Sequence, residues 1–274
     1  MGVSINTHKS LGVGIHTHIV PPLNTSAFDT TSWALGGIDD NLRNTFPYTT
    51  IAADDSSSSP SGAKWSVVFW AKLDAISGTQ YLYDIRDAAG ALVQNLYVIS
   101  TGQLRAFMAG NSSNWSRSAS GAVTAGNWHL ISMTYDSAIN RYDRQKVWVD
   151  ADRTGETSNF LAANHPQSNN ITLGATSAVN DAMEGHLNEI AIWYGTALTQ
   201  TQLESIYNSG GPALNLNTIG GVPSPTNWFR SENAVWYGTD PGGPQYRMVD
   251  EMGTGNTLRT NNMPEASREQ DVPT

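Results

Sequence analysis

The sequence predicts an all-β fold: a sandwich of two antiparallel sheets with one short helix. Three observations lead there. Short runs rich in Val, Ile, Tyr, Phe and Trp recur at regular spacing, with Gly, Asn, Asp and Ser between them. One of these runs, KWSVVFWAKL at 64–73, is apolar almost throughout and reads as a buried strand. The stretch from Gly185 to Gly210 holds a strand, a turn, one capped helix and a glycine stop.

Residues 1–25 read as an N-terminal arm. Val13 to Ile19 alternates polar and apolar residues, Pro21-Pro22 ends the run, and the segment has too little apolar content for a core of its own. From Ser26 the strand pattern begins. LGGIDDNLRN (35–44) turns around Asp39-Asp40, and DDSSSSPSG (54–62) is a loop. YLYDIRD (81–87) and ALVQNLYVIS (91–100) flank a turn at 88–90, and QLRAFMA (103–109) follows Thr101-Gly102. NWHLISMTYD (127–136) and QKVWVD (145–150) flank a longer turn, and NITLGA (170–175) leads to the strand at 185–194. Such spacing implies a two-sheet sandwich or jelly roll.

Period-2 alternation sorts side chains between faces. Val147 and Val149 share one face, leaving Trp148 either against a second sheet or at the surface. In the 127–136 strand, Trp128, Leu130 or Ile131, and Met133 compete for the core. Thr199 and Gln202 have the spacing of a capping box, and Leu203, Ile206 and Tyr207 share one helix face. Residues 212–274, rich in Pro, Gly and Asn but carrying Trp228, Phe229, Trp236 and Tyr237, read as an extended C-terminal segment clamped to a partner or to the domain's flank.

Composition narrows the function. The formal net charge is −9, which phosphate repels, so nucleic acid is not an expected partner. With no cysteine there is no disulfide, thiolate metal site or cysteine nucleophile. MGVSINTHKSL lacks the basic region and apolar core of a signal peptide. No run approaches the roughly 20 apolar residues that span a bilayer, so no membrane role is expected. Charged residues are only 14 %, while 9 Trp and 10 Tyr accompany abundant Ser, Thr, Asn and Gly. That mixture suits surfaces that meet sugars or proteins, and it is also ordinary for turn-rich β proteins.

WSVVFWAKL, GNWHLISMTYD, VWVD, ITLGA and EGHLNEIAIWYGTALTQTQLESIYNSG follow one another in an order that resembles the laminin-G-like, concanavalin A-like jelly-roll domain. The resemblance covers 26–211. Ala151 stands where that family has Gly after the strand-ending Asp, and Asn188-Glu189 stands where Asp-Glu is commoner. The tail, with Pro225 to Trp228, Asp250, Gly255 to Thr257, Asn261 to Met263 and Asp271 to Pro273, resembles bacteriophage virion-associated versions of the domain.

The family's β-glucanases use a Glu-x-Asp-x-Glu strand, whose period places the carboxylates roughly 5 Å apart on one face. That triplet is absent. Glu184 and Glu189, five apart, fall on opposite faces of a regular strand, and Asp84 and Asp87 also alternate. No Gly-x-Ser-x-Gly elbow, phosphate loop or zinc pattern is present. The expected protein is not an enzyme and requires no cofactor.

Calcium is the ion the resemblance implies, with Asp181, beside Asn180, as a rim ligand; the alternative is that Asp181 caps a turn. Asn111, Asn114 and Trp115 form a candidate sugar-binding loop, the indole stacking on a pyranose while amides bond its hydroxyls; alternatively Trp115 packs on the sandwich. His16 and His18 lie on one face of an extended arm, either solvated or offering imidazoles to a transition metal. The resemblance implies a structural protein of a bacteriophage virion, made in the host cytoplasm and decorating the capsid or tail. Trp228, Phe229, Trp236 and Tyr237 would anchor it to capsid or tail proteins as a homo-oligomer. The alternative is a carbohydrate-binding module that recognises a surface glycan.

Overall fold

A computed structural model of the chain describes residues 32–36, 41–45, 64–86, 89–108, 115–140, 142–153, 155, 157–158, 170–176, 181–240, 243–261, 268–269 and 272–273. The arm at 1–25, with His16 and His18, and loop residues Asn111 and Asn114 lie outside them.

The fold is all-β with one short helix, as the sequence predicts. One layer is built on β3 (Lys64–Leu73), β8 (Trp128–Asp136), β9 (Gln145–Val149) and β12 (Glu184–Tyr194), with β3 between β8 and β12. The other holds β4 (Gln80–Arg86), β5 (Leu92–Val98), β6 (Leu104–Met108) and β7 (Trp115–Arg117), flanked by β11 (Asn170–Leu173) and β2 (Asn41–Thr45). β10 (Thr157–Ser158) extends β7. β1 (Ser32–Gly36) pairs with the first half of β12. All these pairings are antiparallel.

The layers meet over one apolar core. Phe69 on β3 and Tyr83 on β4 make an edge-to-face contact with centroids 6.5 Å apart. A polar rung crosses the same core. The Tyr83 hydroxyl donates to Gln94 Oε1 (2.9 Å), and Gln94 Nε2 donates to Gln145 Oε1 (3.2 Å). Gln145 Nε2 donates to the Ala106 carbonyl (3.0 Å). Tyr83, Gln94 and Gln145 are all fully buried. Each polar group finds a partner, which is the condition for burying it.

A second apolar cluster lies on the far side of β3, β8, β9 and β12. There Val68, Trp70, Leu130, Trp148 and Trp193 meet Leu203 and Ile206 of α1 (Gln200–Tyr207). Burial on both faces is why 64–73 shows no alternation. It also settles the competing positions in β8: Ile131 and Met133 enter the inner core, and Leu130 the outer cluster. Trp148 is neither at the surface nor against a second sheet. It lies in the helix-covered cluster, and its Nε1 donates to Thr134 Oγ1 (3.0 Å). The capping box is realised: Gln202 N donates to Thr199 Oγ1 (3.3 Å) and Thr199 N to Gln202 Oε1 (2.9 Å).

Residues after 211 are more than an extended segment on a flank. β13 (Asn227–Asp240) pairs with β12, β14 (Gly243–Asp250) with β13, and β15 (Thr257–Asn261) with β14 and β2. These strands join the two layers into one continuous hydrogen-bonded path. β16 (Arg268–Glu269) pairs with β1. The physical reason is the free edge of β12, whose second half β13 covers.

Candidate functional site

The outward face of β4 to β7 collects most of the chemistry. In-register partners share a face, so Tyr81 pairs with Tyr97, Asp84 with Asn95, Asn95 with Phe107, Phe107 with Trp115, Tyr97 with Arg105, and Arg105 with Arg117. The intervening residues Leu96, Leu104, Ala106 and Ser116 point inward and are buried. Tyr81, Tyr97, Phe107 and Trp115 are half-buried, four aromatic side chains on a face that the sandwich core does not use. The rings of Tyr81 and Tyr97 lie 5.2 Å apart.

Polar groups are interleaved with the rings. Asp84 is fully buried, and its Oδ2 accepts from Arg86 Nε at 2.8 Å. Asn95 is 7 % exposed, and its Oδ1 has no hydrogen-bond partner. The Arg117 guanidinium lies over the Trp115 ring, 4.5 Å from its centroid. Arg105 Nε donates to Gln103 Oε1 (2.8 Å), and Gln103 Nε2 in turn donates to the Ser118 carbonyl (2.8 Å). Burial, with Tyr97 next in effect, raises the Tyr81 phenol above its ordinary pKa.

Of the residues singled out in the sequence, Trp115 is on this face, stacked with Arg117 and opposite Phe107. Asp181 is at its rim. It is exposed, with φ +49°, and its carbonyl accepts the Tyr81 amide at 2.9 Å. Among the described residues no three His, Cys, Asp or Glu side chains, Asp181 included, group to hold a metal ion. Trp228 and Phe229 are 2 % and 0 % exposed and belong to the domain's two apolar clusters, which removes them as external anchors. Trp236 and Tyr237 lie on β13, Trp236 opposite Tyr246.

Tyr81, Tyr97, Phe107, Arg105 and Arg117 were not singled out. Alternation in YLYDIRD, ALVQNLYVIS and QLRAFMA was the available signal, but a register shift between Tyr81 and Tyr83 breaks it in β4.

Two catalytic arrangements fail on geometry. Thr124, His129 and Asp150 stand in hydroxyl–imidazole–carboxylate order, with Oγ1 to Nε2 at 2.9 Å and Nδ1 to Oδ2 at 2.7 Å. The Thr124 amide also donates to Nε2 (3.1 Å), so that lone pair is engaged and the imidazole is a structural clasp. Glu184 and Glu189 are not on opposite faces as a regular strand would have them. An extra residue between Asn188 and Ala191 shifts the parity and puts both on the helix side. Some five residues of strand, about 13 Å or more, still separate them, well beyond a glycosidase pair. Glu189 is buried against Trp228 and Arg230. Among the described residues no helix is long and apolar enough to cross a membrane.

The laminin-G-type family model described as "Concanavalin A-like lectin/glucanases superfamily" matches residues 44–204. The chain belongs to this superfamily. In this lectin/glucanase domain the Asp150–Ala151 turn keeps left-handed backbone at both residues (φ +56° and +62°), although Ala replaces the glycine expected there. Among solved structures, the domain is similar to a presumptive carbohydrate-binding protein of Bacteroides ovatus (TM-score 0.58, 10 % identity). That match covers 89 % of this chain and 61 % of that one, so the chain spans about three fifths of that protein's length. It is also similar to the native heptameric SAP-like pentraxin of Limulus polyphemus (TM-score 0.48, 13 % identity, 86 % and 96 % covered). A third is the Ruminococcus gnavus IT-sialidase CBM40 bound to α2,3-sialyllactose (TM-score 0.46, 12 % identity, 65 % and 97 % covered). No curated protein sequence matches.

Proposed function

We propose that the chain is a lectin-like, non-enzymatic glycan-binding domain whose binding face is the outward side of β4 to β7. The observation that carries this reading is the set of four half-buried aromatic rings, Tyr81, Tyr97, Phe107 and Trp115, interleaved with Asp84, Asn95, Arg105 and Arg117. Rings take the apolar face of a pyranose, and fixed polar groups read its hydroxyls.

The virion role suggested by the tail is the second reading. It draws on the arm at 1–25 and on a tail whose Trp228 and Phe229 support the domain itself. The described surface therefore favours the glycan.

A glycan array on the full chain, followed by calorimetry, tests the proposal. Saturable binding that weakens at least tenfold in Trp115→Ala and in Tyr97→Ala, with unchanged melting, is the expected result. Binding indifferent to both substitutions, or none across the array, overturns it.

A further inference from the structure

We infer that this face takes an extended, β-1,4-linked oligosaccharide laid across the strands over all four rings, rather than a single terminal sugar. The inference rests on the glycan-binding reading above and names its ligand class. Four successive strands contribute one ring each: Tyr81 from β4, Tyr97 from β5, Phe107 from β6 and Trp115 from β7. Register makes these rings a track. Tyr81 stands opposite Tyr97, and Phe107 opposite Trp115. The two pairs join diagonally, because Tyr97 faces Arg105 and Phe107 comes two residues later on β6.

The length of the track sets the length of the ligand. With strands about 4.8 Å apart and about 3.4 Å per residue along them, Tyr81 to Trp115 spans about 16 Å. The Tyr81 and Tyr97 rings, 5.2 Å apart, mark one such step. A pyranose is about as long as one step, so a terminal monosaccharide covers one or two rings and leaves the others in water. About three to four units in line cover them all. All four rings are half-buried, and the apolar surface they keep in water is removed from it only by a ligand of that length.

The shape of the track selects the linkage. Neighbouring strands of a sheet are rotated by roughly 20–25°. A glycan, with torsions at every linkage, follows that turn, and a rigid flat molecule of the same length does not. Equatorial β-1,4 linkages hold the chain extended, so each unit presents a C–H face to the ring beneath it. An α-1,4 chain coils, and its units leave the track after one or two contacts. A cation–π contact steadies one end: Arg117 Cζ lies 4.5 Å from the Trp115 centroid. The sheet continues past both ends of the track, with β10 beyond β7 and β11 beyond β4, so a longer chain runs on over it.

The test uses the full chain in calorimetry with ladders of one to six units: cello-, xylo-, manno- and chito-oligosaccharides, and malto-oligosaccharides as the α-linked control. Expected is an affinity that rises at least tenfold from disaccharide to tetrasaccharide in one β-linked ladder and is then level to the hexasaccharide, with no such rise in the malto series. Tyr81→Ala and Trp115→Ala remove opposite ends of the track. Each, with folding checked by circular dichroism, is expected to weaken the hexasaccharide at least tenfold and to move the plateau to a shorter chain. The length dependence is read in the unaltered chain, so a variant that fails to fold does not stall the test. Affinity that does not grow with length, or grows equally in the malto series, overturns this inference and leaves glycan binding intact. So does a glycan bound on the array when no β-linked ladder binds, and so does a plateau that neither folded variant moves. Binding to no ladder and to nothing on the array overturns both.

Discussion

Trp228 Nε1 donates to Glu189 Oε2 at 2.5 Å, locking the strand after the helix to the bulge of the strand before it. Arg230 Nε donates to the other carboxylate oxygen at 2.9 Å, and its guanidinium lies 5.0 Å from the Trp228 ring centroid. The bulge falls where β12 exchanges one neighbour for another: β1 pairs with 184–187, and β13 with 190–192. Glu189 adopts φ +50° there and is 4 % exposed.

Removing one partner of a buried ion pair strands the other charge. Glu189→Ala is expected to lower stability by about 3–5 kcal/mol, measured by urea unfolding. A loss below about 1 kcal/mol would show that Glu232, also paired with Arg230, suffices alone.

The C-terminal strands belong to the domain. A chain ending at residue 211 exposes the edge of β12 and opens the cluster around Trp193 and Leu203. It is expected to lose cooperative unfolding, seen by circular dichroism on heating. Full cooperativity in that truncated chain would mean that 212–274 is an appendage.

At the β9 turn, Asp150 accepts from His129 Nδ1 (2.7 Å) and from the Leu130 amide (2.9 Å). Asp150→Ala leaves both donors bare and is expected to cost about 2–3 kcal/mol, read from the denaturation midpoint. Ala151→Gly is expected to be nearly neutral. Relief of left-handed strain of about 1 kcal/mol is offset by loss of a buried methyl worth about 0.8 kcal/mol. Ala151 is 2 % exposed.

Gly185 is required by space as well as by conformation. Its φ is +144°, and a Cβ there would stand 2.0 Å from the Lys72 carbonyl oxygen. Gly185→Ala must push β3 and β12 apart. A drop in melting temperature of about 8 °C or more, corresponding to 2–4 kcal/mol in a domain of this size, is the expected outcome of a thermal scan.

Alkaline pH should unfold the protein through its core phenol. Burial holds Tyr83 well above the ordinary tyrosine pKa, and burial raises Tyr81 and Tyr207 as well. The unfolded chain releases these protons near pH 10 while the folded chain keeps them, so the stabilisation is complete below about pH 10 and fades as pH rises beyond it. Urea midpoints at pH 9 and pH 11 should differ, and less so in Tyr83→Phe. That variant also loses the hydrogen bond to Gln94 and starts about 1–3 kcal/mol weaker. An equal alkaline decline in both chains would rule Tyr83 out as its source.

Local signals in the sequence were enough for the sandwich class, the strands and the helix caps. Thr199 with Gln202 caps α1 as spacing requires. The candidate site was legible only at Trp115. Phe107, Tyr97 and Arg105 sit at alternate positions of their strands, but alternation names two faces without saying which one the core will take.

What the sequence determined alone was anything decided within a few residues: strand runs, turn chemistry, the capping box and the absence of cysteine chemistry. What only the tertiary structure decided was partnership across long separations. Glu189 meets Trp228 because one extra residue in β12 changes side-chain parity just where a new strand docks. Arg105 meets Arg117 because β6 and β7 pair in that register. Parity and register are properties of two strands together, so neither strand's residues encode them alone.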